Sequence, residues 1–304
     1  LIFISLFIFF FFHKPNQSNL NNFFWLSKET SIMINNWFMM YFLSVVLVGT
    51  IYPIFLEVLT TNKISVGPPF YNKLMIPFLV PFLFAMAIGP KLKWIKSELE
   101  DKVYMFLFLI ISFLLSALII KKFDVSFLIN TILITSAFFL FFITLRDFFL
   151  KTFKNLSQNI AHFGFSLLIL SILFNNIFST EVITNLKIGE TFKSEKFTIK
   201  FTNIDQENGK NFKAIIGKFN VKYLDGSVDF LNPELRIYNQ PNIITSEADI
   251  KTNLFTDKFI TMNYVQNQEY FNIRYQEKPL MIWIWISVIL ISLSGLLSVL
   301  KKKI

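Results

Sequence analysis

The sequence has 304 residues, of which 54% are hydrophobic, 18% aromatic and 16% charged. Soluble domains carry about 25% charged residues, so this composition excludes an ordinary soluble protein. The chain has no Cys and 2 His, which excludes disulfide scaffolds and thiol chemistry and restricts imidazole chemistry to His13 and His162.

Six segments are apolar over about the 20 residues that crossing a bilayer requires. They are residues 33–55, 69–89, 103–120, 125–145, 159–179 and 280–300. Residues 1–12 are also apolar, but they are too short to span and lack the basic start and cleavage site of a signal peptide. We therefore expect that Leu1 is not the natural start and that the first helix is truncated.

The formal net charge is +9, and its distribution favours a membrane protein over a nucleic-acid-binding protein. Residues 180–279 are charge-balanced, so the basic excess lies between the apolar segments. If Lys301–Lys303 lie inside, loops 13–32, 90–102 and 146–158 lie on the same side and carry most of the remaining excess. Residues 180–279 are then outside. We expect the basic loops to contact membrane lipid, and we expect no nucleic acid as a partner.

Residues 180–279 have the pattern of an antiparallel β-domain. Apolar and polar residues alternate in 197–202, 218–223 and 271–275, which is typical of strands buried on one face. Asn208-Gly209 and Asp225-Gly226 predict turns between strands. The stretch has no His, no glycine-rich phosphate loop and no zinc-ligand spacing, so we assign no catalytic residue there.

The predicted fold class is a multi-pass α-helical integral membrane protein with one external, small antiparallel β-domain. The predicted domains are a transmembrane helix bundle at 1–179, the external β-domain at 180–279, and a C-terminal transmembrane helix with an inside Lys tail at 280–304. Trp283 and Trp285, at the outer end of the last span, are typical of an interfacial aromatic belt.

His162 is the most informative single residue. It lies near the inner end of an apolar span, where a polar side chain is costly and commonly marks a functional site. Helical spacing predicts that Asn155, Gln158, Asn159 and Ser166 share its face. By contrast, His13 follows four Phe and precedes Lys14, so we expect it to face water at the interface.

The chemistry of His162 allows more than one interpretation. A buried neutral imidazole with a polar neighbour suits an axial haem ligand, because the neighbour fixes the tautomer while the other nitrogen binds iron. Gly164 would leave room for a flat macrocycle. An interhelical hydrogen bond or a ring that reaches the interface would explain the same residue, and one His is only half of a bis-His site.

The same spans also permit a transporter or channel subunit with an accessory external β-domain. Charged residues are nearly absent from the span centres, and no paired broken helices are evident, which argues against an ion or proton path. A structural fragment without activity of its own is a third possibility.

Several short stretches carry a resemblance to a known family. In chain order they are Leu26-Ser27-Lys28-Glu29, Gly49-Thr50-Ile51-Tyr52-Pro53, Lys63 to Asn72, Ala161-His162-Phe163-Gly164, Pro233 to Tyr238, Ser246 to Ile250, and Lys278-Pro279 before Trp283. Leu235 departs from the Lys that the family has at that position. Together the stretches resemble the C-terminal half of the CcmF family, the haem lyase subunit of the multi-subunit cytochrome c maturation system.

This resemblance implies a role in haem handling. Family members receive haem from the chaperone CcmE, work with CcmH and CcmI, and join haem to the two Cys of an apocytochrome c motif. They also hold a haem b between two transmembrane His, and His162 matches one of these axial ligands of the iron. The implied location is the bacterial inner (plasma) membrane or, alternatively, the mitochondrial inner membrane.

Some features of the family are not found in this sequence. The tryptophan-rich external segment, its two flanking His and the second axial His lie upstream in the family. We therefore expect this chain to be a C-terminal piece that needs the upstream half of the same protein. Its assignment as an enzyme stays open, because it is not expected to complete a haem lyase site alone.

Overall fold

The computed structural model describes residues 24–60, 64–95, 102–123, 127–150, 156–265 and 269–301. The predictions for residues 1–12, His13, Asn155 and the last two lysines of the tail fall outside the described residues.

Six long helices lie within the described part of the chain, and each is long and apolar enough to cross a membrane by length and composition. They are α1 Lys28–Leu59, α2 Pro68–Ile88, α3 Lys102–Phe123, α4 Phe127–Leu150, α5 Leu156–Phe178 and α6 Met281–Lys301. The six predicted spans are thus confirmed as helices, with bounds that differ from the prediction by a few residues.

Ten strands lie between α5 and α6 in the described residues. They are β1 Thr180–Leu186, β2 Thr191–Lys193, β3 Phe197–Asn208, β4 Phe212–Tyr223, β5 Val228–Leu231, β6 Glu234–Tyr238, β7 Ile243–Glu247, β8 Asp249–Thr252, β9 Thr256–Tyr264 and β10 Phe271–Pro279. All strand pairs are antiparallel, as the alternating sequence pattern predicts.

The strands form two sheets that enclose one hydrophobic core. One sheet has the order β1-β10-β9-β8, and the other has the order β2-β3-β4-β6-β7 with β5 paired to β4. Alternate residues of the central strands point inward, so both sheets contribute to the core. The buried core residues are Leu186, Phe197, Ile199, Phe201, Phe219, Val221, Leu231, Leu235, Ile260, Met262, Ile273 and Tyr275.

Both predicted turns are confirmed. Asn208 ends β3 and Gly209 follows it in the turn to β4, whereas Asp225-Gly226 lies in the hairpin between β4 and β5. Gly226 has a φ of +84°, a left-handed conformation that Gly adopts without a steric penalty.

The described residues fall into two compact units. The first contains α1, α2, α3 and α4 as far as Ile143, and the second contains Phe123 and the chain from Thr144 onward. In the first unit, the Ser116 and Thr135 hydroxyls lie 2.6 Å apart and link α3 to α4. Gly49 of α1 packs against the ring of Tyr71 of α2, where a Cβ would come within 2.6 Å of the phenol oxygen.

In the second unit, α5 and α6 are the two helices that connect to the β-sandwich. Only Ser179 separates α5 from β1, and only Leu280 separates β10 from α6. The Asn175 side-chain amide donates to the Pro279 carbonyl at 2.7 Å, which joins the two connections. Leu280 has a φ of +56°, a conformation that is uncommon for a residue with a large side chain.

Small residues allow α5 and α6 to pack closely. A Cβ at Gly164 would lie 3.0 Å from Ile291, 3.2 Å from Leu290 and 3.3 Å from the Ser287 carbonyl. In the first turn of α5, the Ser157 hydroxyl donates to the Ser294 carbonyl at 2.7 Å. Close backbone approach at small residues is typical of helix pairs in membranes.

We predict that Gly164→Val destabilises the second unit, because its side chain overlaps α6. Overpacking of this kind costs about 1–3 kcal/mol, so the melting temperature of the purified protein should fall. Gly295→Val is the matched control, since a Cβ at Gly295 of α6 meets nothing within 4 Å. Equal melting temperatures for the two variants would contradict the close packing at Gly164.

Candidate functional site

His162 lies in the second turn of α5. The residue as a whole is partly exposed, whereas its Nδ1 atom is buried. The exposed part of the residue therefore consists of other atoms. The distance along α5 from His162 to Phe178 is about 24 Å, at about 1.5 Å per residue, so His162 lies toward the end of α5 that is far from the β-sandwich.

The polar face around His162 packs against the last turns of α4. The Asn159 amide donates to the Asp147 carbonyl at 3.2 Å. The Ser166 hydroxyl lies 2.8 Å from the Thr144 hydroxyl. One turn before His162 and one turn after it, α5 is thus held by hydrogen bonds to residues three apart on α4.

The predicted polar face is confirmed only in part. Asn159 and Ser166 are buried, but Gln158 is exposed. The contribution of Thr144 and Asp147 to this face was not predicted from the sequence. Their spacing of three residues near the end of an apolar span indicates that they share a helix face.

The expectation that Gly164 leaves room for a flat macrocycle is wrong. The space beside Gly164 is filled by α6, and its nearest neighbours there are Ile291, Leu290 and the Ser287 carbonyl. The reason is that α5 and α6 approach closely at this residue. Any macrocycle bound by His162 must therefore lie on another side of α5.

The arrangement of His162 is compatible with an axial haem ligand. Ligating imidazoles bind metal through one ring nitrogen and direct the other toward a protein or water partner, and here Nδ1 is directed inward. Among the described residues, no group of three or more His, Cys, Asp or Glu side chains could hold a metal ion.

Several polar groups of the β-sandwich are engaged in ion pairs and hydrogen bonds. Burial acts to raise the pKa of Asp229, but the hydrogen bonds from Lys251 and Lys258 outweigh it, and the pKa lies below its ordinary value. The Tyr223 and Tyr275 hydroxyls lie 3.0 Å apart, and burial raises the pKa of both phenols. These contacts connect the two sheets.

Two of the stretches that carry the resemblance stabilise the sandwich. In β6, the Arg236 guanidinium donates to the Glu234 carboxylate at 2.8 Å. In the segment from β7 to β8, the Ser246 hydroxyl donates to the Met262 carbonyl at 2.8 Å, and the Asp249 carboxylate accepts from the Asn232 backbone at 2.6 Å. Residues of both stretches therefore contribute contacts within the sandwich.

Comparisons with known proteins agree with this fold. Residues 177–279 match the family model described as the CcmF C-terminal beta-sandwich. The resemblance to the C-terminal portion of CcmF is confirmed. The cytochrome c-type biogenesis protein CcmF of Haemophilus influenzae is 28% identical over 91% of this chain and 45% of that protein. CcmF of Escherichia coli K12 is 25% identical over 94% of this chain and 45% of that protein.

A solved structure, described as the cytochrome c heme lyase CcmF, has a TM-score of 0.69 with 19% identity. It covers 90% of this chain and 46% of the CcmF chain. This likeness supports the fold, a multi-pass helical membrane protein with a β-sandwich. The present chain spans less than half the length of these CcmF relatives.

We predict that Asn159→Leu loosens the contact between α5 and α4, because the hydrogen bond to the Asp147 carbonyl is lost. Interhelical hydrogen bonds in membranes contribute about 0.6–2 kcal/mol, so the melting temperature should fall modestly. Gln158→Leu, at the exposed neighbouring position, should leave the melting temperature unchanged. An equal effect of both variants would contradict this role for Asn159.

Proposed function

We propose that this chain is the C-terminal portion of a haem lyase component of cytochrome c maturation, and that His162 supplies one axial ligand of a haem b. Similarity to CcmF proteins over nine-tenths of the chain supports the pathway. The single imidazole of the described residues, in α5 with a buried Nδ1, supports the ligand assignment. The second axial His would come from the upstream half of the protein.

Haem b, when bound, supplies one-electron chemistry, which suits a system that attaches ferrous haem to apocytochrome c. The residues of this chain provide ligation and positioning. His162 would bind the iron, while Asn159 and Ser166 fix α5 against α4. No catalytic residue is assigned, and the haem lyase site is complete only with the upstream half.

The β-sandwich is proposed as an external docking domain for CcmH, CcmI, CcmE or the apocytochrome c. Its external position rests on the basic loops at the opposite ends of the spans. The two closely spaced connections to α5 and α6 hold it directly above these helices. The proposed location is the inner membrane of a bacterium or of a mitochondrion.

We predict that His162→Ala removes the haem b bands from a reduced-minus-oxidised optical spectrum of the chain purified with its upstream half. The loss follows because an alanine offers the iron no ligand. His13→Ala, at the other histidine of the sequence, is the matched control and should retain the bands. Added imidazole should restore them to His162→Gly by replacing the lost ligand.

Retention of the bands in His162→Ala would contradict the assignment of the ligand. Absence of haem from every preparation, the unaltered protein included, would contradict the proposed function and favour the transporter or channel subunit.

We predict that replacing residues 180–279 by a short Gly-Ser linker abolishes co-purification with CcmH, CcmI and CcmE. The linker can be short because Asn175 and Pro279 are hydrogen-bonded neighbours. Insertion of the remaining helices into membranes should continue, since the spans themselves are unchanged. Normal co-purification of all three partners would exclude the docking role.

A further inference from the structure

The turn between β8 and β9 is attached to the first turn of α6. The Trp283 indole N–H donates to the Leu254 carbonyl at 2.8 Å. The Leu280 backbone N–H donates to the Phe255 carbonyl at 2.8 Å. Two successive carbonyls of the turn therefore bind to the start of a membrane-spanning helix.

The turn has a defined conformation. The Asn253 side-chain oxygen accepts hydrogen bonds from the backbone N–H groups of Phe255 at 2.9 Å and Thr256 at 2.8 Å. The Asn253 N–H donates to the Thr256 carbonyl at 3.2 Å. An Asx turn of this kind fixes the backbone and so fixes the directions of the two side chains that follow Asn253.

These two side chains are large, apolar and exposed. Leu254 is 58% exposed and Phe255 is 71% exposed. They occupy adjacent positions at the tip of a turn, where polar residues are usual. The two side chains therefore present apolar surface to whatever lies against the turn.

Another exposed apolar residue lies at the same end of the sandwich. Leu224, in the hairpin between β4 and β5, is 81% exposed. Asp229 contacts Lys251, whereas Asn232 contacts Asp249. These two contacts indicate that β5 and β8 run side by side in opposite directions. The hairpin that precedes β5 therefore lies near the 253–256 turn that follows β8.

The depth of the turn is set by α6. Trp283 lies in the first turn of this span, and Trp at a span end lies at the boundary between headgroups and acyl chains. Because the Leu254 carbonyl is bound to Trp283, the turn lies at the same boundary. The nearby cations Lys251 and Lys258 are paired with Asp229.

We propose that the 253–256 turn is a lipid anchor, in which Leu254 and Phe255 insert into the outer-leaflet interface of the bilayer. The partner is the phospholipid itself, at the level of the glycerol groups and the first acyl carbons. The anchor is continuous with the membrane surface of α6, and it adds a third attachment of the β-sandwich beside its connections to α5 and α6. This inference does not depend on haem binding.

The sequence contains no Cys, so single labels can be introduced cleanly. The full chain carrying Phe255→Cys is labelled with a nitrobenzoxadiazole fluorophore and placed in phosphatidylcholine nanodiscs, with or without 5-doxyl phosphatidylcholine. Ile188→Cys is the matched control, because Ile188 is 53% exposed and follows the end of β1 that is far from α5.

If the turn is inserted in lipid, we expect the fluorophore at position 255 to be quenched strongly by doxyl lipid and weakly by aqueous iodide. At position 188 we expect weak quenching by doxyl lipid and strong quenching by iodide. A difference of several-fold between the two positions is expected in each case, and Leu254→Cys should behave like Phe255→Cys. Equal iodide quenching at 255 and 188 would overturn the proposal. Protection of position 255 from both quenchers would also overturn it, because a protein partner would then cover the turn.

Discussion

The close approach of α5 and α6 is the constraint on which the rest of the second unit depends. Gly164 permits it because it places no side chain between the helices. The Ser157 hydroxyl of α5 adds a hydrogen bond to the Ser294 carbonyl of α6. In hydrocarbon, backbone proximity and such hydrogen bonds replace the hydrophobic effect as the source of helix association. The helix that carries His162 and the helix that follows the sandwich therefore form one structural element.

This helix pair connects two regions for which we propose different roles. At one end of α5, the imidazole of His162 has its Nδ1 buried and is flanked by Asn159 and Ser166 in contact with α4. At the other end, the pair leads directly into β1 and out of β10. A rigid connection of this kind would keep a haem ligand on one side of a membrane at a fixed distance from a docking domain on the other.

Much of this arrangement could be predicted from the sequence, because the relevant signals are local. Apolar length predicts the spans, and period-two alternation with Asp225-Gly226 predicts an antiparallel sheet domain. His162 stands out because an imidazole is rare in an apolar segment. The neighbours of Gly164 could not be predicted, since they depend on which helix packs there. The hydrogen bond from Trp283 to the Leu254 carbonyl likewise joins residues that only the tertiary fold brings together.

The central claim is that His162 binds the iron of a haem shared with the upstream half of the protein. A high-resolution structure of the two halves purified together tests it most directly. We expect continuous density from His162 Nε2 to a haem iron, with an imidazole of the upstream half as the other ligand. A haem held by other residues, with the His162 ring directed into lipid or solvent, would contradict the account.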